Sequence, residues 1–111
     1  MRYIKKFYSN GDEQCIHIMS DGGETFIDFS FYNKERHNMW IYNLNVDEDF
    51  RKQGYGNGII QHVIQYAKEK GCEYLYLAVE ENSFMPDWYF RLGFKRFSNQ
   101  DNFIQMFKKL K

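Results

Sequence analysis

The sequence predicts a small α+β domain: an antiparallel run of strands, then one strand–helix–strand unit, then a closing pair of strands. Three observations carry this. The first half alternates short aromatic and β-branched runs with turn signals at Asn10-Gly11-Asp12 and Asp21-Gly22-Gly23-Glu24. Residues 57–70 place apolar side chains at helical spacing. A glycine-bearing turn, Arg51-Lys52-Gln53-Gly54-Tyr55-Gly56, joins an apolar strand-like run to that helix.

The front elements follow from local pattern. Residues 1–9 and 15–19 read as two strands either side of the Asn10-Gly11-Asp12 turn, and Thr25–Tyr32, rich in β-branched and aromatic residues, as a third. Residues 33–38 are a polar turn. Residues 39–46 are a fourth strand, where strict alternation puts Trp40, Tyr42, Leu44 and Val46 on one face. These four strands make an antiparallel meander.

In the second half, Ile59, Ile60, Val63, Ile64 and Ala67 form one stripe on a helix that Gly56 or Asn57 caps and Gly71 stops. Residues 73–79 are nearly all apolar, as a central or parallel strand is. A short helix is expected within 84–92, with Pro86 in its first turn and Gly93 at its end. Residues 94–97 and 103–108 are closing strands around a turn at 98–102.

Bulk properties narrow the function. A chain of 111 residues supports one core, so residues 1–111 are read as a single domain. Fifteen basic residues balance fifteen acidic ones, which argues against nucleic acid or an anionic membrane as the main partner. Cys15 and Cys72 show no CxxC or Cys/His spacing, and His17, His37 and His62 share no ligand spacing, so neither a metal nor a disulfide framework is expected. That cysteine usage, with no apolar leader at residues 1–6, sets the expectation of a cytoplasmic protein.

The glycine-bearing turn suits an anion. Backbone N–H groups at a helix start lack intrahelical partners, and the helix dipole adds positive potential there. Gly54 and Gly56 remove side chains where a phosphate would touch backbone, and Arg51 and Lys52 add positive charge at the mouth.

Two motifs at matching separation make the chain resemble the GNAT family, the GCN5-related N-acetyltransferases. The pattern L-x-V-x-x-x-x-[RQ]-x-x-G-x-[GA] is met by Leu44, Val46, Arg51, Gly54 and Gly56. The pattern N-x-x-A-x-x-L-Y-x-x-x-G-F is met by Asn82, Tyr89, Gly93 and Phe94, with Met85 and Trp88 in place of the alanine and leucine. The resemblance covers roughly residues 39–110 and implies a GNAT fold: a twisted, mostly antiparallel sheet with a central βαβ unit. It also implies acetyl-CoA as donor. Backbone from Lys52 to Asn57, including Gln53 and Tyr55, would hold the pyrophosphate. Leu44 and Val46 would pair with the pantetheine arm between splayed strands, Asn82 would bond it, and Tyr89 would sit near the sulfur as proton donor. A backbone N–H near Asn45 or Val46 would meet the oxyanion.

The sequence departs from the family at two points. Trp40 stands near where histone-type members place a basic glutamate, which leaves Glu80, Glu81, Asp47 and His37 as alternatives for the general base, with Glu80 taken forward. The usual pair of helices between the first two strands is missing. The acceptor side is therefore expected to be open, which suits a protein or peptide amine; the alternative is a homodimer whose second subunit supplies the wall. A catalytically weak acyl-CoA-binding or interaction module is the competing expectation.

Overall fold

The computed structural model describes residues 2–47 and 53–111. Its strands are β1 (Tyr3–Asn10), β2 (Glu13–Ser20), β3 (Thr25–Tyr32), β4 (Asn38–Val46), β5 (Tyr74–Glu80), β6 (Lys95–Gln100) and β7 (Phe103–Lys109). They form one seven-stranded sheet in the order β1-β2-β3-β4-β5-β7-β6. Only β4 and β5 pair in parallel; every other neighbouring pair is antiparallel. This is the expected α+β arrangement. The helix α1 (Tyr55–Glu69) bridges β4 to β5, as a parallel pair requires.

The core lies on one face of the sheet. Ile59, Ile60, Val63, Ile64 and Ala67 of α1 are buried together with Ile16, Ile18, Ile27, Phe29, Met39, Ile41, Leu75, Leu77, Ile104 and Met106. The short helix α2 (Met85–Arg91) buries Pro86 and Tyr89, and Tyr89 joins the same cluster. Both helices therefore cover the same face. The other face carries Trp40, Tyr74, Tyr76 and Phe107 on neighbouring strands, with Phe97 packed against them.

Both helices end in the same way. In α1 the Gly71 amide bonds Lys68 and the Cys72 amide bonds Ala67, with Gly71 at φ 80. In α2 the Gly93 amide bonds Phe90 and the Phe94 amide bonds Tyr89, with Gly93 at φ 97. These are paired 5→2 and 6→1 bonds closed by a left-handed glycine.

Several sequence expectations are corrected. The face reading of residues 39–46 fails at Tyr42: Asp28 pairs with Asn43 but Phe29 pairs with Ile41, so Tyr42 is an extra residue in β4. A bulge shifts the alternation by one. Leu44 and Val46, opposite Ile27 and Thr25, thus lie on the helix-covered face, away from Trp40. The helix start moves too: Gly54 occupies the N-cap at φ 85, so neither Gly56 nor Asn57 caps α1. Residues 33–38 contain a 3-10 turn, Asn33–Glu35. Finally, β6 runs on to Gln100, and the turn shrinks to Asp101-Asn102, with Asp101 at φ 55. A two-residue hairpin demands left-handed backbone, which aspartate tolerates.

Candidate functional site

The parallel ladder between β4 and β5 runs from Asn38–Tyr74 to Ile41–Leu77 and stops there. β4 continues to Val46 and β5 to Glu80, so the two strands part beyond Ile41. The extra residue Tyr42 sits at this vertex. The strands open a cleft of about 130 Å³ lined by Ile41, Tyr42, Asn43, Leu44, Ala78, Val79 and Tyr89, among others. Beyond the vertex no rung joins the strands, so an extended ligand could take the place of the missing one.

Tyr89 forms a wall of this cleft and is only 2% exposed. Burial pushes its phenol well above the ordinary tyrosine value, so the hydroxyl keeps its proton at neutral pH. Its position is fixed by the α2 cap: the Tyr89 carbonyl accepts the Phe94 amide at 3.1 Å, and the two rings meet edge to face with centroids 5.3 Å apart. The Tyr89-x-x-x-Gly93-Phe94 spacing is the spacing of this cap, with the apolar contact that accompanies it.

The two glycines of the turn do different work. A side chain at Gly54 would meet nothing within 4 Å among the described residues. Among the described residues no side chain caps the first turn of α1, and no acidic residue lies in that turn. The Gly58 amide donates to the Gly54 carbonyl at 2.9 Å in the first turn of α1. Gly56 is packed instead: an added Cβ would lie 3.3 Å from the Trp88 ring and 3.6 Å from Val46. That glycine lets α2 and β4 close against α1, and so joins the cleft to the helix start.

The structure brings Leu44 and Tyr89 together at the cleft, and Val46 beside Gly56. Gln53, Gly54, Tyr55, Gly56 and Asn57 surround the start of α1. Arg51 and Lys52 lie outside the described residues. Glu80, the last residue of β5, and Asn82 line a second cleft of about 260 Å³ with Asn102 and Phe103. They are not among the residues lining the first. Trp40, where the resemblance leads one to expect an acid, stacks on Tyr76. Among the described residues, no group of three or more His, Cys, Asp or Glu converges on a metal position.

Sequence reasoning missed a polar network on the helix-free face. His17 Nδ1 lies 2.6 Å from Asp28 Oδ1, and Asn43 Nδ2 donates to Asp28 Oδ2 at 3.2 Å. An ionised carboxylate only accepts, so His17 donates from Nδ1. Asn43 also lines the first cleft, which ties the network to it. The available signal was alternation: Glu13, Cys15 and His17 in β2, and Asp28 and Ser30 in β3, recur every second residue.

A seven-stranded sheet opened between its two parallel strands, beside a helix that starts at a left-handed glycine, is the architecture of an acetyltransferase domain. The acetyltransferase (GNAT) family model matches residues 3–94, and the chain belongs to that family. It is 35% identical over 71 residues to an uncharacterized N-acetyltransferase of Methanocaldococcus jannaschii, covering 63% of this chain and 31% of that protein. It is 25% identical over 100 residues to the ribosomal protein bS18-alanine N-acetyltransferase of Escherichia coli, covering 89% of this chain and 68% of that one. The chain thus spans less than a third of the archaeal relative and about two thirds of the bacterial one. Among solved structures, the PaiA N-acetyltransferase of Thermoplasma acidophilum in complex with coenzyme A superposes with a TM-score of 0.74 at 20% identity, over 88% of this chain and 61% of that one.

Proposed function

We propose that this chain is an acetyl-CoA-dependent N-acetyltransferase acting on a primary amine of a protein or peptide. One observation carries the reading: β4 and β5 part at Tyr42, the gap between them is lined by Leu44 and Tyr89, and Val46, further along β4, lies beside Gly56 at the start of α1. The residues present fit the donor. Among the described residues no side chain caps the helix at Gly54 and no acid lies in its first turn, which suits a pyrophosphate. Bound there, acetyl-CoA would supply a thioester carbon open to attack by an amine.

The chain's own groups divide the remaining work. The main chain of Leu44 and Val46 offers a strand edge to an extended arm. A backbone N–H near Asn45 or Val46 provides a fixed donor for developing negative charge on the carbonyl oxygen. The Tyr89 hydroxyl holds a proton at the cleft wall, available to a departing thiolate. β1 and β2 are joined by a two-residue turn at Gly11-Asp12, so nothing between them walls off the acceptor. An open side favours a flexible chain over an enclosed small amine, and the bacterial relative named for a ribosomal protein supports the same class.

Calorimetry tests the donor site. Wild type is expected to bind acetyl-CoA in the micromolar range, about −8 kcal/mol. Gly54→Asn tolerates the left-handed backbone and should bind within about tenfold of wild type. Gly54→Asp adds a charge to nearly the same shape and should bind at least about tenfold more weakly than Gly54→Asn, a difference of about 1.4 kcal/mol. A wild type that fails to bind removes the proposal.

A further inference from the structure

Resting on that reading, we propose that the helix-free sheet face is the docking surface of an extended peptide acceptor. The peptide sets its amine at Asp28, lays apolar residues over a ring platform beside the cleft, and places an acidic residue against Lys95 and Lys109.

The platform is a connected set of five rings. Trp40 stacks on Tyr76 at 4.8 Å, and Tyr76 lies 6.1 Å from Tyr74. Phe97 meets Tyr76 at 5.7 Å and Phe107 at 5.9 Å, and Tyr74 meets Phe107 at 6.3 Å. Phe97 is 47% exposed, and among the described residues both helices pack on the opposite face. Trp40 and Tyr76 form the rung immediately before the last one of the parallel ladder, so the platform begins where the cleft closes.

Charge is placed at both ends. Asp28 pairs with Asn43 on the β3–β4 side, and its carboxylate is oriented by His17 and by Asn43, a cleft residue. Lys109 sits opposite Tyr74 and Lys95 opposite Phe107, on the same face and at the far side of the rings. An ammonium is drawn to the first end and a carboxylate to the second. The strands between them set the distance. Lys109 lies three strand spacings of about 4.8 Å across from Asp28 and about four residues along, and Lys95 four spacings across and about two residues along, so each is roughly 20 Å away, which an extended chain covers in about six residues.

Size separates a peptide from a second copy of this chain. The platform is four strands wide and about three same-face residues long, roughly 250 Å². A stable protein–protein contact needs about 800 Å² per partner. A short peptide fills the platform; a subunit contact cannot be built on it alone.

The experiment uses two ten-residue peptides with one lysine as the only free amine, followed by leucine and phenylalanine. One carries two glutamates five and six residues from the lysine, and the other carries two arginines there. Binding is read by Trp40 fluorescence in a Trp88→Phe background, and acetyl transfer by mass. The acidic peptide is expected to bind and react at least about tenfold better. Lys95→Glu with Lys109→Glu should invert the preference. Asp28→Asn should raise KM for both peptides about tenfold while acetyl-CoA affinity stays put. Equal use of both peptides, or a preference the charge reversal does not move, overturns the docking surface. So does sedimentation showing a dimer that Trp40→Ala dissociates. Binding with the expected preference but no acetyl transfer upholds the surface and overturns the acetyltransferase reading.

Discussion

The carbonyl of Tyr89 accepts the amide of Phe94 at 3.1 Å, and the two rings meet edge to face 5.3 Å apart. The residue that walls the cleft is thereby fastened by the cap of its own helix. Since the helix is short, this local bond pair, with Gly93 between, does the positioning that a longer helix would do by packing.

Gly93→Ala should therefore loosen Tyr89. Gly93 holds φ 97, where an alanine costs about 1–2 kcal/mol. The expected outcome is a lower urea midpoint with unchanged slope, and weaker acetyl-CoA binding in proportion. A variant as stable as wild type would show that the cap is dispensable.

Tyr89→Phe should leave stability near neutral pH within about 1 kcal/mol, because the ring contacts survive. Its signature lies in alkali. Below the ordinary tyrosine pKa of about 10 the folded and unfolded chains both hold the phenol proton, and stability is independent of this group. Above it, the unfolded chain ionises while buried Tyr89 does not. The unfolded state then binds fewer protons, and stability falls by about 1.4 kcal/mol per pH unit for each such group. Urea titrations between pH 9 and 11.5 should show Tyr89→Phe falling less steeply by one proton, with a loss of transfer rate at neutral pH.

Deleting Tyr42 should close the site. The extra residue shifts the β4 alternation, which is what carries Leu44 and Val46 to the helix side. Without it, a continuous ladder turns those two apolar residues away from the core or pulls the strands back together. Loss of acetyl-CoA binding together with a clear drop in melting temperature is expected. Retention of full affinity would place the cofactor elsewhere.

Trp40→Ala removes the partner of Tyr76, stacked at 4.8 Å and 21°. Ring loss should destabilise the fold by about 1–3 kcal/mol, of which about 1 kcal/mol is coupling to Tyr76. A double-mutant cycle with Tyr76→Ala measures that coupling by denaturant unfolding. A coupling near zero would mean the two rings merely lie together.

Much of the fold was legible because its signals are local. The turn chemistry at Gly11 and Asp21–Glu24, the α1 stripe and the stops at Gly71 and Gly93 each depend on a few neighbouring residues. The motif carrying Tyr89 was legible for the same reason, since its spacing is that of a helix cap. The polar network was not. His17, Asp28 and Asn43 come from three strands, and nothing in any one strand states which residues will stand opposite.

The sequence by itself determined the kind and order of the elements, the position of the glycine turn before α1 and the family resemblance. These rest on periodicity, turn residues and short spacings, all properties of contiguous chain. Tertiary structure alone decided the bulge at Tyr42, the parting of β4 and β5 and the bare face with charge at both ends. Each is a matter of register between strands, which is set by the best burial of the whole sheet against its two helices and by no single segment.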